Sequence, residues 1–269
     1  MVLIETYHFL GSRGGPRLWA RKERHSMSTR IDRVIITGAS SGIGLDLARS
    51  FLAEGSSVVM NGRDPEKLEQ ARRSLDGGAR VVAVPGHVGD RATARAVAGA
   101  ARERFGGVDV LINNAGIFGA KPFLESTEED LERFFTTNVK GTFLMTQAAV
   151  PLMIEGGGGS IINIGTVLVQ QAMARMPASA AMASKGGVHA LTVSLAAELA
   201  AHNIRVNTLA PGIIRTPLIG EGADSLASIH PLRRVGEVRD TTEAALFLAR
   251  AGFVTGTTLD VDGGYSHGR

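Results

Sequence analysis

Thr37-Gly38-Ala39-Ser40-Ser41-Gly42-Ile43-Gly44 is the stretch from which the rest of the chain is read. Arg33-Val34-Ile35-Ile36 leads into it, short, apolar and rich in β-branched residues, as a strand is. A helical pattern opens at Ile43, with apolar residues at 43, 47, 48, 51 and 52 on one face and Gly55 to end it. A strand, a glycine turn and a helix in this order can hold a dinucleotide. The glycines allow a tight turn close to a pyrophosphate, and the helix start offers free N–H groups to it. The spacing is Gly-x-x-x-Gly-x-Gly, and its place between strand and helix carries more weight than the glycines alone.

The pattern repeats outward. Ser57 to Met60, residues 80–84, Val108 to Ile112, Ser160 to Ile164, Ile204 to Leu209 and Thr257 to Val261 read as further strands. Helices are expected from Pro65, where proline suits a first position, over 90–105, from Thr127 to Ile154, over 179–202 and from Thr241 to Arg250. Residues 213–236 read as an irregular, partly helical insertion. Alternating strands and helices with continuous apolar runs predict an α/β fold: a doubly wound sheet of about seven mainly parallel strands with helices on both faces. Ligands of such sheets bind at the carboxyl ends of the strands. Residues 30–269 are expected to form one such domain, with no internal repeat or linker.

At 269 residues the chain can bury a sizeable core. It has no Cys, which excludes disulfides and thiol chemistry. No apolar run approaches the roughly 20 residues that span a bilayer. The formal charge of +3 is local. Residues 1–30 hold six Lys/Arg and two Glu, a net +4, which leaves −1 on the remaining 239. A broad nucleic-acid-binding face is therefore not expected. Residues 1–29 lack a helical or strand period and read as an extension, disordered or upstream of a start at Met27. Glu5 and His8 interrupt the one candidate signal core. A cytoplasmic protein with no membrane and no metal site is the expectation.

Several further motifs join the glycine turn: Asn113-Asn114-Ala115-Gly116, Asn138 in Asn-Val-Lys-Gly, Ile161-Ile162-Asn163-Ile164, Ala183-Ser184-Lys185, and Pro211-Gly212-Ile213-Ile214-Arg215-Thr216-Pro217. In order and spacing, over nearly all of 31–264, the chain resembles the short-chain dehydrogenase/reductase family. The resemblance implies a Rossmann-like fold, a nicotinamide dinucleotide cofactor and a small-molecule carbonyl or alcohol substrate. It places the cofactor against Gly38, Ser40, Ser41, Gly42, Ile43, Gly44, Arg63, His87, Val88, Asn114, Ala115, Gly116, Lys185, Pro211, Gly212, Ile213 and Thr216. Relatives that prefer NAD carry an acidic residue at the end of the second strand. Here that position is Gly62, followed by Arg63, whose guanidinium can pair with a 2′-phosphate. NADP(H) is thus favoured over NAD(H), although Arg63 also suits an ordinary solvated strand end. His87 stands where the family has an Asp toward the adenine.

The resemblance also implies a Tyr as acid/base, a Lys four residues later that lowers its pKa, a Ser that orients the substrate oxygen and an Asn that anchors a water relay. A phenol near pH 10 needs such a cation before it works at neutral pH. Lys185 and Asn138 are present, and Thr166 takes the Ser position. The Tyr position is Ala181, which has no proton to give. The chain's two Tyr, Tyr7 and Tyr265, are not spaced to substitute, and Tyr265 is expected to pack near the C-terminus. His189, one turn after Lys185, is expected to be a packing or surface residue rather than a replacement base. Three explanations stay open: a nucleotide-binding pseudoenzyme acting as regulator or sensor, an enzyme with a proton route through Thr166, Lys185 and water, and an inactivated variant. Residues 117–124, 167–180 and 213–236 would line the substrate side, with Met173, Met176 and Leu218 as a partly apolar wall. Relatives commonly form dimers or tetramers through helices such as 127–154 and 179–202, where Ala196, Ala197 and Ala200 suit close packing. A homo-oligomer is expected.

Overall fold

The computed structural model describes residues 31–217 and 219–267. The expected extension, with Tyr7, and Leu218 of the expected substrate wall lie outside the described residues. Seven strands form one sheet: β1 (Arg33–Thr37), β2 (Ser57–Gly62), β3 (Val81–Pro85), β4 (Val110–Asn113), β5 (Gly159–Ile164), β6 (Ile204–Pro211) and β7 (Thr258–Val261). Their order is β3-β2-β1-β4-β5-β6-β7, and every neighbouring pair is parallel. Successive side chains of a strand point to opposite faces, so each strand feeds two cores. Val34 and Ile36 pack with Leu47, Phe51, Val58 and Leu248 on one face. Ile35 packs with Val59, Val97, Leu111, Met153 and Val206 on the other. Burial on both faces is why these strands read as unbroken apolar runs.

Seven α-helices cover the sheet: α1 (Gly42–Ala53), α2 (Pro65–Arg73), α3 (Arg91–Phe105), α4 (Glu128–Phe134), α5 (Gly141–Glu155), α6 (Ser179–Leu199) and α7 (Val238–Arg250). The chain leaves β1 toward β2 and leaves β4 toward β5, in opposite directions from a shared pair. The crossovers part there, and a crevice opens above the carboxyl ends of β1 and β4.

Two expected helices differ in detail. The stretch from Thr127 to Ile154 is not one α-helix: α4 passes into a π-turn, Phe135–Lys140, before α5 begins. The Thr142 hydroxyl donates to the Asn138 carbonyl at 2.8 Å within this widened turn. After α6, Ala200–His202 tightens to a 3₁₀ turn, and Asn203 in the left-handed region (φ 57°) ends it. The insertion over 213–236 holds a 3₁₀ segment, Gly220–Ile229, tied back by Arg215, which donates to Asp224 (2.5 Å) and Glu237 (3.0 Å). Among the described residues, no helix is long and apolar enough to cross a membrane.

One buried charge fastens the far side of the sheet. Arg205 of β6 is buried, and burial lowers its pKa. Its guanidinium donates to the carbonyls of Leu248 (2.7 Å), Ala249 (2.7 Å) and Val254 (3.3 Å). Leu248 and Ala249 belong to the last turn of α7, where orphan carbonyls and the negative dipole end welcome a cation. Arg205→Met keeps the bulk but strips these carbonyls of their donors. We expect a loss of about 2–4 kcal/mol in urea unfolding.

Candidate functional site

A cleft of about 510 Å³ lies over the carboxyl ends of the strands. Its floor is a reciprocal clamp between the ends of β1 and β4. The Thr37 hydroxyl accepts from the backbone N–H groups of Asn114 and Ala115, both at 3.0 Å. In return the Asn114 side-chain amide donates to the carbonyls of Thr37 (2.9 Å) and Gly38 (3.0 Å). These loops approach too closely for side chains. A Cβ on Gly44 would stand 2.3 Å from the Gly38 carbonyl oxygen, and one on Gly38 (φ 63°) 2.8 Å from the Ala115 Cα. The glycine spacing is thus set by backbone-to-backbone contact.

The N-terminus of α1 opens into the same cleft. Ser41 at its N-cap makes no side-chain capping bond, and no acidic residue sits in its first turn. The first N–H groups and the positive dipole end are left for an anion. Arg63, exposed just beyond β2, lines the cleft and has no hydrogen-bond or ion-pair partner among the described residues. No Asp or Glu lines the cleft among those residues. A cradle without Cβ atoms, an uncapped helix start and an unpaired guanidinium together fit a phosphate-bearing dinucleotide. His87 also lines the cleft, but its ring is engaged within the chain: Nδ1 accepts from the Gly89 N–H at 3.1 Å, and Nε2 lies 3.4 Å from the Thr137 hydroxyl. Ser40, Ser41, Gly42, Ile43, Val88, Ala115, Gly116, Pro211, Gly212, Ile213 and Thr216 line it as well, while Gly44 serves beneath the turn.

At the other end, Lys185 reaches in from α6. Its ammonium donates to the Ile164 carbonyl at 2.7 Å, and burial lowers its pKa to about 8. Gly116 passes beside it: a Cβ there would lie 3.1 Å from Lys185 Nζ and 3.2 Å from Asn138 Oδ1. Thr166 lines the cleft, its hydroxyl accepting from the Leu168 N–H at 3.3 Å. Asn138 does not line the cleft. Buried in the π-turn, its Oδ1 accepts from the Ile117 N–H (2.9 Å), and its Nδ2 donates to the Ile117 carbonyl (3.0 Å) and the Ser184 hydroxyl (2.8 Å). Its side chain fixes the loop after Gly116 against α6.

Ala181 is fully buried and also does not line the cleft. It packs with Phe134 and Ala178, against which Ile117, Phe118, Ala180 and Met182 are laid. Its neighbours in this cluster are apolar. Tyr265 packs near the C-terminus with Val167 and Ala210, its hydroxyl 3.3 Å from the Gln171 carbonyl, and does not reach the cleft. His189 lies behind Gly165, also outside the cleft lining, and burial lowers its pKa. Of the two methionines expected in the wall, Met176 lines the cleft, and Met173 turns to the Tyr265 cluster. The glycine motif includes Thr37 without giving its side chain a role, and Asn61 lies outside the motifs. Asn61 accepts from the Ala39 N–H (2.9 Å) and donates to the Val84 and Gly86 carbonyls (3.0 and 3.1 Å), which fastens the turn to β2 and β3. A polar residue at the end of an apolar strand run was its one available signal. Among the described residues, no cluster of three or more His, Cys, Asp or Glu could hold a metal ion.

Fold and cleft define a dinucleotide-binding α/β protein. The family model described as enoyl-(acyl carrier protein) reductase matches residues 38–266. Galactitol 2-dehydrogenase (L-tagatose-forming) of Cereibacter sphaeroides is 37% identical over 239 residues, covering 86% of this chain and 93% of that one. A 3α-hydroxysteroid dehydrogenase of Mediterraneibacter gnavus is 37% identical over 239 residues, covering 85% and 94%. The structure of ElxO with NADP bound superposes with a TM-score of 0.82 at 30% identity, covering 88% of this chain and 99% of that one. The chain belongs to the short-chain dehydrogenase/reductase family, which binds nicotinamide dinucleotides.

The packing around Ala181 bears on any attempt to restore a phenol. Ala181→Tyr overfills a buried apolar cluster, so thermal or urea unfolding should show a loss of about 1–3 kcal/mol. An unchanged stability would mean that space for the ring exists.

Proposed function

We propose that this chain is an NADP(H)-dependent oxidoreductase of a carbonyl/alcohol pair, in which Lys185 rather than a phenol moves the proton. The observation that carries this reading is the Lys185 ammonium, which lines the reaction end of the cleft with no carboxylate partner. Ala181 supplies no acid. The Thr166 hydroxyl beside it can orient the substrate oxygen but does not titrate near neutrality.

When bound, the dinucleotide supplies the hydride for reduction and takes it back in oxidation. Lys185 gives one ammonium proton to the substrate oxygen as the carbon is reduced, becomes the neutral amine and regains a proton from water. The bond to the Ile164 carbonyl holds Nζ in place during the exchange. Gly38, Gly42, Gly44 and the α1 start cradle the phosphates, and Asn138 positions the loop that runs past Lys185. Arg63 takes the 2′-phosphate. A second reading, a nucleotide-binding sensor without turnover, draws on Ala181, which has no proton to give where the family has a phenol. The two named relatives act on a polyol and on a steroid alcohol, and both chemistries are alcohol oxidation at carbon. Leu131, Phe135, Phe143 and Ile154 are exposed along the α4–α5 stretch, which supports a homo-oligomer formed through that side.

Titration with NADPH and NADH tests the binding half. A charge-assisted pair with the 2′-phosphate is worth about 1.5–3 kcal/mol, so NADPH should bind roughly ten- to a hundredfold tighter. Arg63→Ala should bring the two cofactors to within about threefold. Absence of saturable binding to either would sink the oxidoreductase and sensor readings together. Turnover against pH tests the proton route. Reduction needs the ammonium, present below about 8, so its rate should fall as pH rises through that value, while oxidation gains. Lys185→Met should abolish both. A pH profile that stays flat across this range argues against Lys185 as the proton donor, and an absence of turnover in the unmodified chain argues for the second reading.

A further inference from the structure

The substrate end of the cleft differs in character from its phosphate end. Ile117, Phe118, Leu168 and Met176 form its walls. Two loops close one side. The Lys121 N–H donates to the Pro177 carbonyl at 2.7 Å, joining the segment after Phe118 to the segment after Met176. Lys121 itself is directed away, its ammonium held by Asp130 at 2.5 Å. On the opposite side, Arg215 pairs with Asp224 and Glu237, and Arg234 with Asp240. Among the described lining residues, Thr166 and Lys185 are the polar side chains near these walls.

From this distribution we infer that the substrate is an uncharged, predominantly apolar ketone or secondary alcohol with one oxygen. The inference deepens the oxidoreductase reading above and rests on it. A hydroxyl buried without a partner loses its hydrogen bonds to water and regains none, at a cost that corresponds to about tenfold in affinity or more. A polyol or ketose would bring several such hydroxyls against Ile117, Phe118, Leu168 and Met176, which have none to offer. A phosphate-bearing or carboxylate-bearing substrate would need a second cation. The free cation of the cleft, Arg63, lies at the opposite end, beside Gly62 and the glycine turn. An apolar skeleton instead displaces water from these walls, and its one oxygen meets the Thr166 and Lys185 hydrogens.

Binding rather than turnover tests this, so the outcome does not depend on how fast the chemistry runs. The full chain is first titrated with NADP⁺ by calorimetry. The saturated complex, which has no hydride to give to a ketone, is then titrated with 2-decalone, D-fructose and acetoacetyl-CoA. The expected result is a 2-decalone Kd at least tenfold below those of the other two. Met176→Gln, similar in length but polar, should weaken 2-decalone at least threefold and leave the NADP⁺ Kd unchanged. Equal or tighter binding of fructose or acetoacetyl-CoA overturns the inference. So does a complex that takes up NADP⁺ but no 2-decalone at millimolar concentration, or a Met176→Gln chain that binds 2-decalone as before. If NADP⁺ itself fails to bind, the oxidoreductase reading falls and this inference with it, a failure already visible in the first titration.

Discussion

Four hydrogen bonds between Thr37-Gly38 and Asn114-Ala115 hold together everything that the cleft offers. A parallel sheet by itself only lets its crossovers part. The ends of β1 and β4 would then be two unconnected loops, each with orphan backbone groups. The Thr37 hydroxyl and the Asn114 amide satisfy those groups reciprocally, N–H for carbonyl, and draw the two backbones into contact. That approach dictates glycine at 38 and 44, and glycine at 44 in turn lets α1 start directly over the turn. On the β2–β3 side the Asn61 amide donates to the Val84 and Gly86 carbonyls, and its backbone carbonyl accepts from the Ala39 N–H.

The charge layout follows from the same frame. The cleft has cations and helix N–H groups along it, and no carboxylate among its described lining residues. Arg63 and Lys185 stand at opposite ends, in opposite states of solvation. Arg63 is exposed. Lys185 is held against the Ile164 carbonyl in a buried place, where desolvation brings its proton within reach of neutral pH. One cation is thus suited to recognition and the other to exchange, a difference that comes from residue type and depth together.

Much of this was legible in the sequence, and the limits were physical. The seven strands and the glycine turn announced themselves because burial on both faces demands unbroken apolar runs, and close backbone approach demands glycine. Arg63, Thr166 and Lys185 were placed by motif spacing, and the cleft brings them to one surface. The π-turn at Phe135–Lys140 was not legible, since a stretch such as Phe-Thr-Thr-Asn-Val-Lys carries no periodic mark of one widened turn. Asn138 was expected at the reaction centre, and its amide is held there by Ile117 and Ser184, behind Gly116. The surroundings of Ala181 could not be foreseen either. Phe134 comes from α4 and Phe118 from the loop after β4, and only the tertiary fold brings them against α6.

The bond from the Lys121 N–H to the Pro177 carbonyl joins two loops 56 positions apart in sequence, each of which would otherwise move on its own. Their openings are therefore one event. The Lys121 amide hydrogen is shielded from solvent only while that event has not occurred, so its exchange with deuterated water records how often the mouth of the cleft parts. A ligand that bridges the two walls would slow this exchange. One that stays in the phosphate end would leave it as it was, and a single backbone amide thus distinguishes the two halves of the cleft.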